Sequence, residues 1–139
     1  MMDAARLRGV YDELVKSELT EFMAGRPLSA DLITSADTLC YFGGLDNAFT
    51  AAAGALSDNG FLIFTVEAAA AEEAPSGHRI NPHGRYSHSR EYLERTLKDA
   101  AFAVVAVESE VLRTENHLPV QGFVVTARKL AGGELGLER

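Results

Sequence analysis

One cysteine, Cys40, stands in 139 residues, so no disulfide can close within the chain. A reducing compartment is the expected setting and the cytoplasm the expected location. Basic clusters are missing too. The net charge is -7, with 13 Lys and Arg against 20 Asp and Glu. A protein that grips nucleic-acid backbones needs a concentrated positive face, so no nucleic-acid partner is expected. The acidic balance favours solubility and says little else. No apolar run approaches the roughly 20 residues of a helical membrane span, so no membrane partner is expected. The start, "MMDAARLRGV", lacks the apolar core of a signal peptide. No internal repeat is present, and no low-complexity tract beyond "AAAAEEA".

What is there suits a globular α/β domain. The chain is 47% hydrophobic and 24% charged, long enough for one real core and too short for two ordinary domains. One domain is expected over 1–130, with "AGGELGLER" a loose tail over 131–139. The opening "MMDAARLRG" has the pattern of the second half of an amphipathic helix, with Met2, Ala5 and Leu7 apolar and Arg6 and Arg8 polar. Two readings stand side by side: a start inside a longer protein, or a frayed terminal helix.

Along the chain, residues 11–19 ("YDELVKSEL") read as a short strand. A polar turn with Gly25 and Pro27 follows. The strand at 31–36, "DLITSA", is apolar on both faces, as in a parallel sheet covered on both sides. Leu45, Phe49, Ala53 and Leu56 fall on one helical stripe over 45–56, and Asp46 suits the helix dipole. "SDNG" at 57–60 stops that helix, with Gly60 expected at positive φ. "FLIFTVE" at 61–67 is the clearest strand. An irregular segment, 68–88, comes next; loops this long are lids, binding loops or disordered. Ser89 caps a helix whose buried stripe is Leu93, Leu97 and Ala100. Strands follow at 102–107, extended by Val111 and Leu112, and at 120–128. The link "RTENHLP" between them is too short for a parallel crossover of about a dozen residues, so the two form an antiparallel hairpin.

Residues 31–67, "DLITSADTLCYFGGLDNAFTAAAGALSDNGFLIFTVE", resemble the central part of an S-adenosylmethionine-dependent methyltransferase with the Rossmann-like fold. "GRYSHSREYLERTL" and "VLRTENHLPVQGFVVTARK" are similar to a bacterial subgroup fused to tetratricopeptide repeats. The resemblance runs from Ala5 to about Lys129. It implies a doubly wound, mostly parallel sheet in which "ELVKSEL" is strand three, "DLITSA" strand four and "FLIFTV" strand five. Strand seven runs antiparallel between five and six. Nothing in the chain corresponds to strands one and two of that family, to the glycine-rich turn after strand one, or to the acidic residue that ends strand two. The expected fold class is therefore an incomplete doubly wound sheet, strands three to seven, closed by the hairpin.

What the resemblance implies about function is methyl transfer from S-adenosylmethionine to a small-molecule or protein acceptor, within a longer or otherwise completed protein. Glu18 and Leu19 map near the adenine. Ser35, Ala36 and Asp37 map near the methionine part and the methyl group, with Tyr41 one turn on as a catalytic candidate. In such sheets ligands sit outside the carboxyl ends of the strands. "GRYSHS" assigns Arg85 and Tyr86 to the acceptor pocket and His88 to general-base duty. Each position has a plainer competitor. Asp37 suits an N-cap, Tyr41 and Phe42 suit core aromatics, and Glu18 suits a solvated strand end. Cys40 reads as a small buried hydrophobe. For His78, His83 and His88 a metal site and an ordinary mobile loop compete with a lid, although metal clusters show tighter spacing or added Cys. The Gly that many relatives carry between the second helix and its strand is here replaced by Ala100 and Ala101; keeping left-handed geometry there costs roughly 1–2 kcal/mol.

Without strands one and two the strand at 31–36 is a bare edge. Bare edges pair with what is available, so a homo-oligomer through 31–36 is expected, with cover of the edge by a rearranged N-terminal segment as the alternative. A non-catalytic assembly module derived from a methyltransferase is the alternative function. Half of a nicotinamide-binding domain is a third, which the closing hairpin fits poorly.

Overall fold

The computed structural model describes residues 23, 25, 27–36 and 38–131. The elements run β1 (Ala30–Ser35), a 3-10 turn (Leu39–Tyr41), α1 (Asp46–Ala55), β2 (Leu56–Ala68), β3 (His78–Ile80), β4 (Tyr86–His88), α2 (Arg90–Asp99), β5 (Phe102–Glu115) and β6 (Leu118–Lys129). All six strands join one sheet. The α/β class expected of the sequence is what forms.

β2 is the spine of the sheet. β1 lies parallel to it on one side, with Leu32 opposite Phe61 and Ser35 opposite Phe64. β6 lies antiparallel on the other side, from Phe61 opposite Arg128 to Glu67 opposite Gly122. β5 pairs antiparallel with β6. Past the end of β1, the short β4 takes the vacated side of β2, parallel to it, with Glu67 opposite Ser87. β3 pairs back on β4. Thus β1, β2, β4 and β5 point one way and β3 and β6 the other, and the path β1–β2–β6–β5 is the order expected for strands four, five, seven and six.

Alternation along the strands decides what is buried. Leu62, Phe64, Val66, Val125 and Ala127 share the face that both helices cover. Phe49 of α1 packs on Phe64 with ring centroids 5.2 Å apart, and Leu93 and Leu97 of α2 complete this core. On the opposite face, the paired Leu32 and Phe61 are 55% and 38% exposed. Among the described residues no helix covers that face, and none is long and apolar enough to cross a membrane.

Local chemistry explains the element ends. Ser89 Oγ accepts the Tyr92 amide at 3.3 Å, so α2 begins with the expected cap. α1 has no side-chain cap and relies on Asp46 in its first turn. Glu115 faces Leu118 across Asn116 and His117, both at positive φ (51° and 64°). That is the two-residue turn whose twist matches a hairpin. One expectation needs correcting at 57–60. The residue with positive φ there is Asn59, at 66°, not Gly60. These four residues bulge out of β2 between the pairs Ala30–Leu56 and Leu32–Phe61. Gly60 serves by its small size: a Cβ would stand 2.9 Å from the Ser57 carbonyl and 3.1 Å from that of Asp31. The 68–88 segment is also more ordered than its composition suggests, since it holds the β3–β4 hairpin. Ala101 does adopt left-handed φ, at 73°.

Candidate functional site

The carboxyl end of β1 opens into a cavity of about 320 Å³ between the sheet edge and α1. Phe49, Ala52 and Leu62 form its apolar floor; Ser35, Ala36 and Thr38 stand at its polar rim. The register puts Ser35 on the helix side of the sheet beside Phe64. Its hydroxyl oxygen is buried and has no hydrogen-bond partner. A buried hydroxyl without a partner costs roughly 1–3 kcal/mol, so a polar group of a ligand at this place would recover what folding leaves unmet. Asp37, Glu18 and Leu19 lie outside the described residues.

Beyond the rim, Tyr41 stands 65% exposed on the 3-10 turn, whereas Cys40 beside it is buried. The chain then passes Gly43 and Gly44 and is fastened to the neighbouring layer. The Leu45 amide donates to Tyr92 Oη at 2.8 Å, a buried bond. The Gly43 carbonyl meets His88 Nε2 at 3.0 Å. A Cβ on Gly43 would stand 2.9 Å from Tyr86 Cε1 and 3.2 Å from the His78 ring, so only glycine lets the segment sit this close.

His88 is 0% exposed. Its ring stacks on Tyr92 (centroids 6.0 Å apart) and tilts against His78 (6.2 Å), and its Nδ1 has no partner. Burial pushes its pKa down; the Gly43 and Phe42 carbonyls oppose this, His78 adds to it and Glu67 works against it. A general base needs a nitrogen within reach of an acceptor's proton. Here Nε2 meets the Gly43 carbonyl, and Nδ1 is unpartnered but buried, so neither nitrogen of His88 faces solvent.

Arg85 and Tyr86 are placed differently from each other. Tyr86 is half-buried against His78. Arg85 is consumed by a closed ring of charge that the sequence reading did not connect. Its Nε donates to Glu67 Oε2 at 2.7 Å, and its Nη2 to both oxygens of Glu115 at 2.5 and 2.6 Å. Arg113 completes the ring, with Nη2 on Glu67 Oε2 at 2.6 Å and Nε on Glu115 Oε1 at 2.9 Å. Glu67 is buried. The carboxylates hold both guanidiniums firmly protonated, Glu67 acting most on Arg85 and Glu115 most on Arg113. In return Arg113, then Arg85, push the Glu115 carboxyl below its ordinary range. The ring joins the end of β2, the turn before β4 and the tip of the β5–β6 hairpin. One signal pointed to Glu67: it is the charge ending an otherwise apolar strand. His83 flanks the ring: its Nδ1 accepts the Arg85 amide at 3.1 Å, and its Nε2 lies 3.9 Å from Glu67 Oε1. Among the described residues no three His, Cys, Asp or Glu converge as metal ligands.

The arrangement thus brings Ser35, Ala36 and Tyr41 to one end of the sheet, with the buried His88 behind the Tyr41 segment and Arg85 turned to the hairpin tip.

The fold is one already known. The chain is similar to a SAM-dependent methyltransferase from Methanosarcina mazei (TM-score 0.68, 16% identity), covering 93% of this chain and 75% of that one. It is similar to an S-adenosylmethionine-dependent methyltransferase from Mesorhizobium loti (TM-score 0.63, 20% identity; 91% of this chain, 75% of that one). It is equally similar to the 4+2 cyclase SpnF (TM-score 0.70, 20% identity; 94% of this chain, 61% of that one). No family model matches the sequence, and no curated protein matches it. The fold is that of class I S-adenosylmethionine-dependent methyltransferases, and the cyclase shows that this fold also carries other chemistry.

Proposed function

We propose that this chain takes part in methyl transfer from S-adenosylmethionine to a small-molecule or protein acceptor, as part of a longer or otherwise completed protein. The carrying observation is the cavity at the carboxyl end of β1 with the unpartnered Ser35 hydroxyl at its rim. An apolar floor and one unmet polar atom fit the methionine end of the cofactor: a short aliphatic stem that ends in a polar amino-acid head. Ser35 binds the head, Ala36 leaves room at the rim, and Asp37, with Glu18 and Leu19, is assigned by resemblance to the remainder. The cofactor would supply an electrophilic methyl group on a sulfonium. The protein's share is placement and exclusion of water. Phe49, Ala52 and Leu62 keep the floor dry. Tyr41, on the exposed side of the 3-10 turn, is the residue placed to meet an acceptor. Arg85 and Tyr86 are assigned by resemblance to the acceptor pocket.

A second reading has its own observation. Among the described residues β1 pairs on one side only, and Leu32 and Phe61 are exposed on the uncovered face. A non-catalytic module that assembles with a second copy through 31–36 would use both features.

Calorimetric titration of S-adenosylmethionine into the full chain and into Ser35→Ala tests the first reading. Micromolar binding, weakened by the substitution, is expected. Absence of binding to the unaltered chain overturns cofactor binding by this chain on its own, and equal binding by Ser35→Ala overturns the role given to the cavity. Light scattering at micromolar concentration tests the second: a dimer supports assembly through β1, and a clean monomer refutes it.

A further inference from the structure

The segment between β1 and α1 carries two walls of the cavity, Thr38 and Leu39, and the exposed Tyr41. Two long-range hydrogen bonds fasten its far end, His88 Nε2 to the Gly43 carbonyl and the Leu45 amide to Tyr92 Oη. Both partners belong to the layer of β4 and α2, and their rings stack on one another. A nitrogen facing a carbonyl at hydrogen-bond distance must carry the proton, so neutral His88 is the Nε2–H tautomer and its Nδ1 is a bare acceptor. A second proton would go to Nδ1, which is buried and has nothing to donate to. The charge would then sit where no exposed surface can solvate it.

We infer that His88 is a positioning residue: in its neutral form it holds the 38–45 segment in place through Gly43, setting the rim of the cavity, and protonation releases that segment. The groups facing the ring come from every neighbouring element. They are His78 of β3, whose ring also meets Tyr86 of β4, Glu67 of β2, Tyr92 of α2 with Arg95 5.4 Å over its ring, and the carbonyls of Phe42 and Gly43. His78 is close enough that its own charge would oppose that of His88. Glu67 favours the charge but is shared by Arg85 and Arg113. Burial is the largest effect and favours the neutral, holding form. The consequence for a ligand of the cavity rests on the methyl-transfer reading; the holding contact does not.

Amide hydrogen exchange in the full chain tests the contact without any ligand. The Leu45 amide, held by Tyr92, is the reporter, and the amides of β2 are the control. In the unaltered protein, Leu45 protection corrected for intrinsic rate should be flat above about pH 7 and fall roughly tenfold or more by about pH 5, while β2 stays protected. His88→Gln can still donate to the Gly43 carbonyl and cannot titrate; it should keep the protection and lose the pH dependence. His88→Phe should lose roughly tenfold at neutral pH, the worth of about one net hydrogen bond. Should His88→Phe not fold, His88→Gln decides alone. Unchanged pH dependence of Leu45 in His88→Gln overturns the inference, as does full protection in His88→Phe. Titrating S-adenosylmethionine into the same proteins separates the two readings: intact pH-dependent holding with no cofactor binding leaves the contact standing and removes cofactor binding by this chain on its own.

Discussion

Ala101→Gly should stabilise this protein. Ala101 sits at φ +73° in the joint between α2 and β5. It cannot relax there, because its amide donates to the Lys98 carbonyl and its own carbonyl accepts the Leu130 amide, both at 3.0 Å. Left-handed geometry costs an L-residue with a Cβ roughly 1–2 kcal/mol, which glycine avoids. Glycine gives back about 0.5–1 kcal/mol through the greater freedom of its unfolded chain. The net gain is about 0.5–1 kcal/mol. For a chain of this size that raises Tm by roughly 2–5 °C. In urea the midpoint should rise by about 0.3–0.5 M with the slope unchanged, taking a slope of roughly 2 kcal/mol/M. Ala100→Gly is the control. Ala100 has φ -90° and helical hydrogen bonds, so the same change there should cost about 0.5–1 kcal/mol. Loss of stability in Ala101→Gly, or a gain in Ala100→Gly of similar size, would refute the assignment of strain to Ala101.

Other outcomes are equally specific. Glu67→Gln removes the buried carboxylate that Arg85 and Arg113 share, while Glu115 still pairs both, and should cost about 1–3 kcal/mol, read by chemical denaturation; no measurable loss would show the ring to be ornamental. Gly77→Ala should cost several kcal/mol, because Gly77 has φ +101° and a Cβ would fall on the Tyr92 ring; thermal unfolding of the variant checks it. Stability should be flat above about pH 7 and decline as pH falls below roughly 6.5, since unfolded His88 takes up a proton that the folded ring resists. A second decline should set in below about pH 4.3, as pH falls toward the depressed Glu115 value. Denaturation midpoints across pH 3–8 would test both, and a curve without the upper decline would mean that His88 titrates freely.

Much of the fold was legible because its signals are local. Apolar stripes mark α1 and α2, Ser89 announces a cap, and a link too short for a crossover forces the β5–β6 hairpin. The polar residues that end the apolar β1 mark the mouth of the cavity in the sequence. The remainder depends on what meets across the fold. "YSHSR" reads as exposed loop, yet His88 is sealed because Gly43 brings a distant backbone onto it. The adjacent glycines, Gly43 and Gly44, were the available hint of close approach. The carboxylate partners of Arg85, Glu67 and Glu115, lie 18 and 30 residues away, beyond any local pattern. The β3 and β4 strands are three residues each, too short to show alternation. At the bulge, composition favoured Gly60, but the packing against Asp31 and Ser57 gave Asn59 the left-handed turn.

The register of the spine also dictates an order of assembly. β2 finds its long partner in β6, the last described strand to be made, and β6 is brought into place by a two-residue turn from β5. That hairpin is local and can close within microseconds once both strands exist, whereas the β2–β6 ladder joins distant segments. During synthesis, then, β1, α1 and β2 emerge with Phe64 and Val66 unmatched by Val125 and Phe123, and wait for the end of the sheet. Nascent chains halted before Leu118 should remain open to protease throughout β2, and chains released after Lys129 should close together.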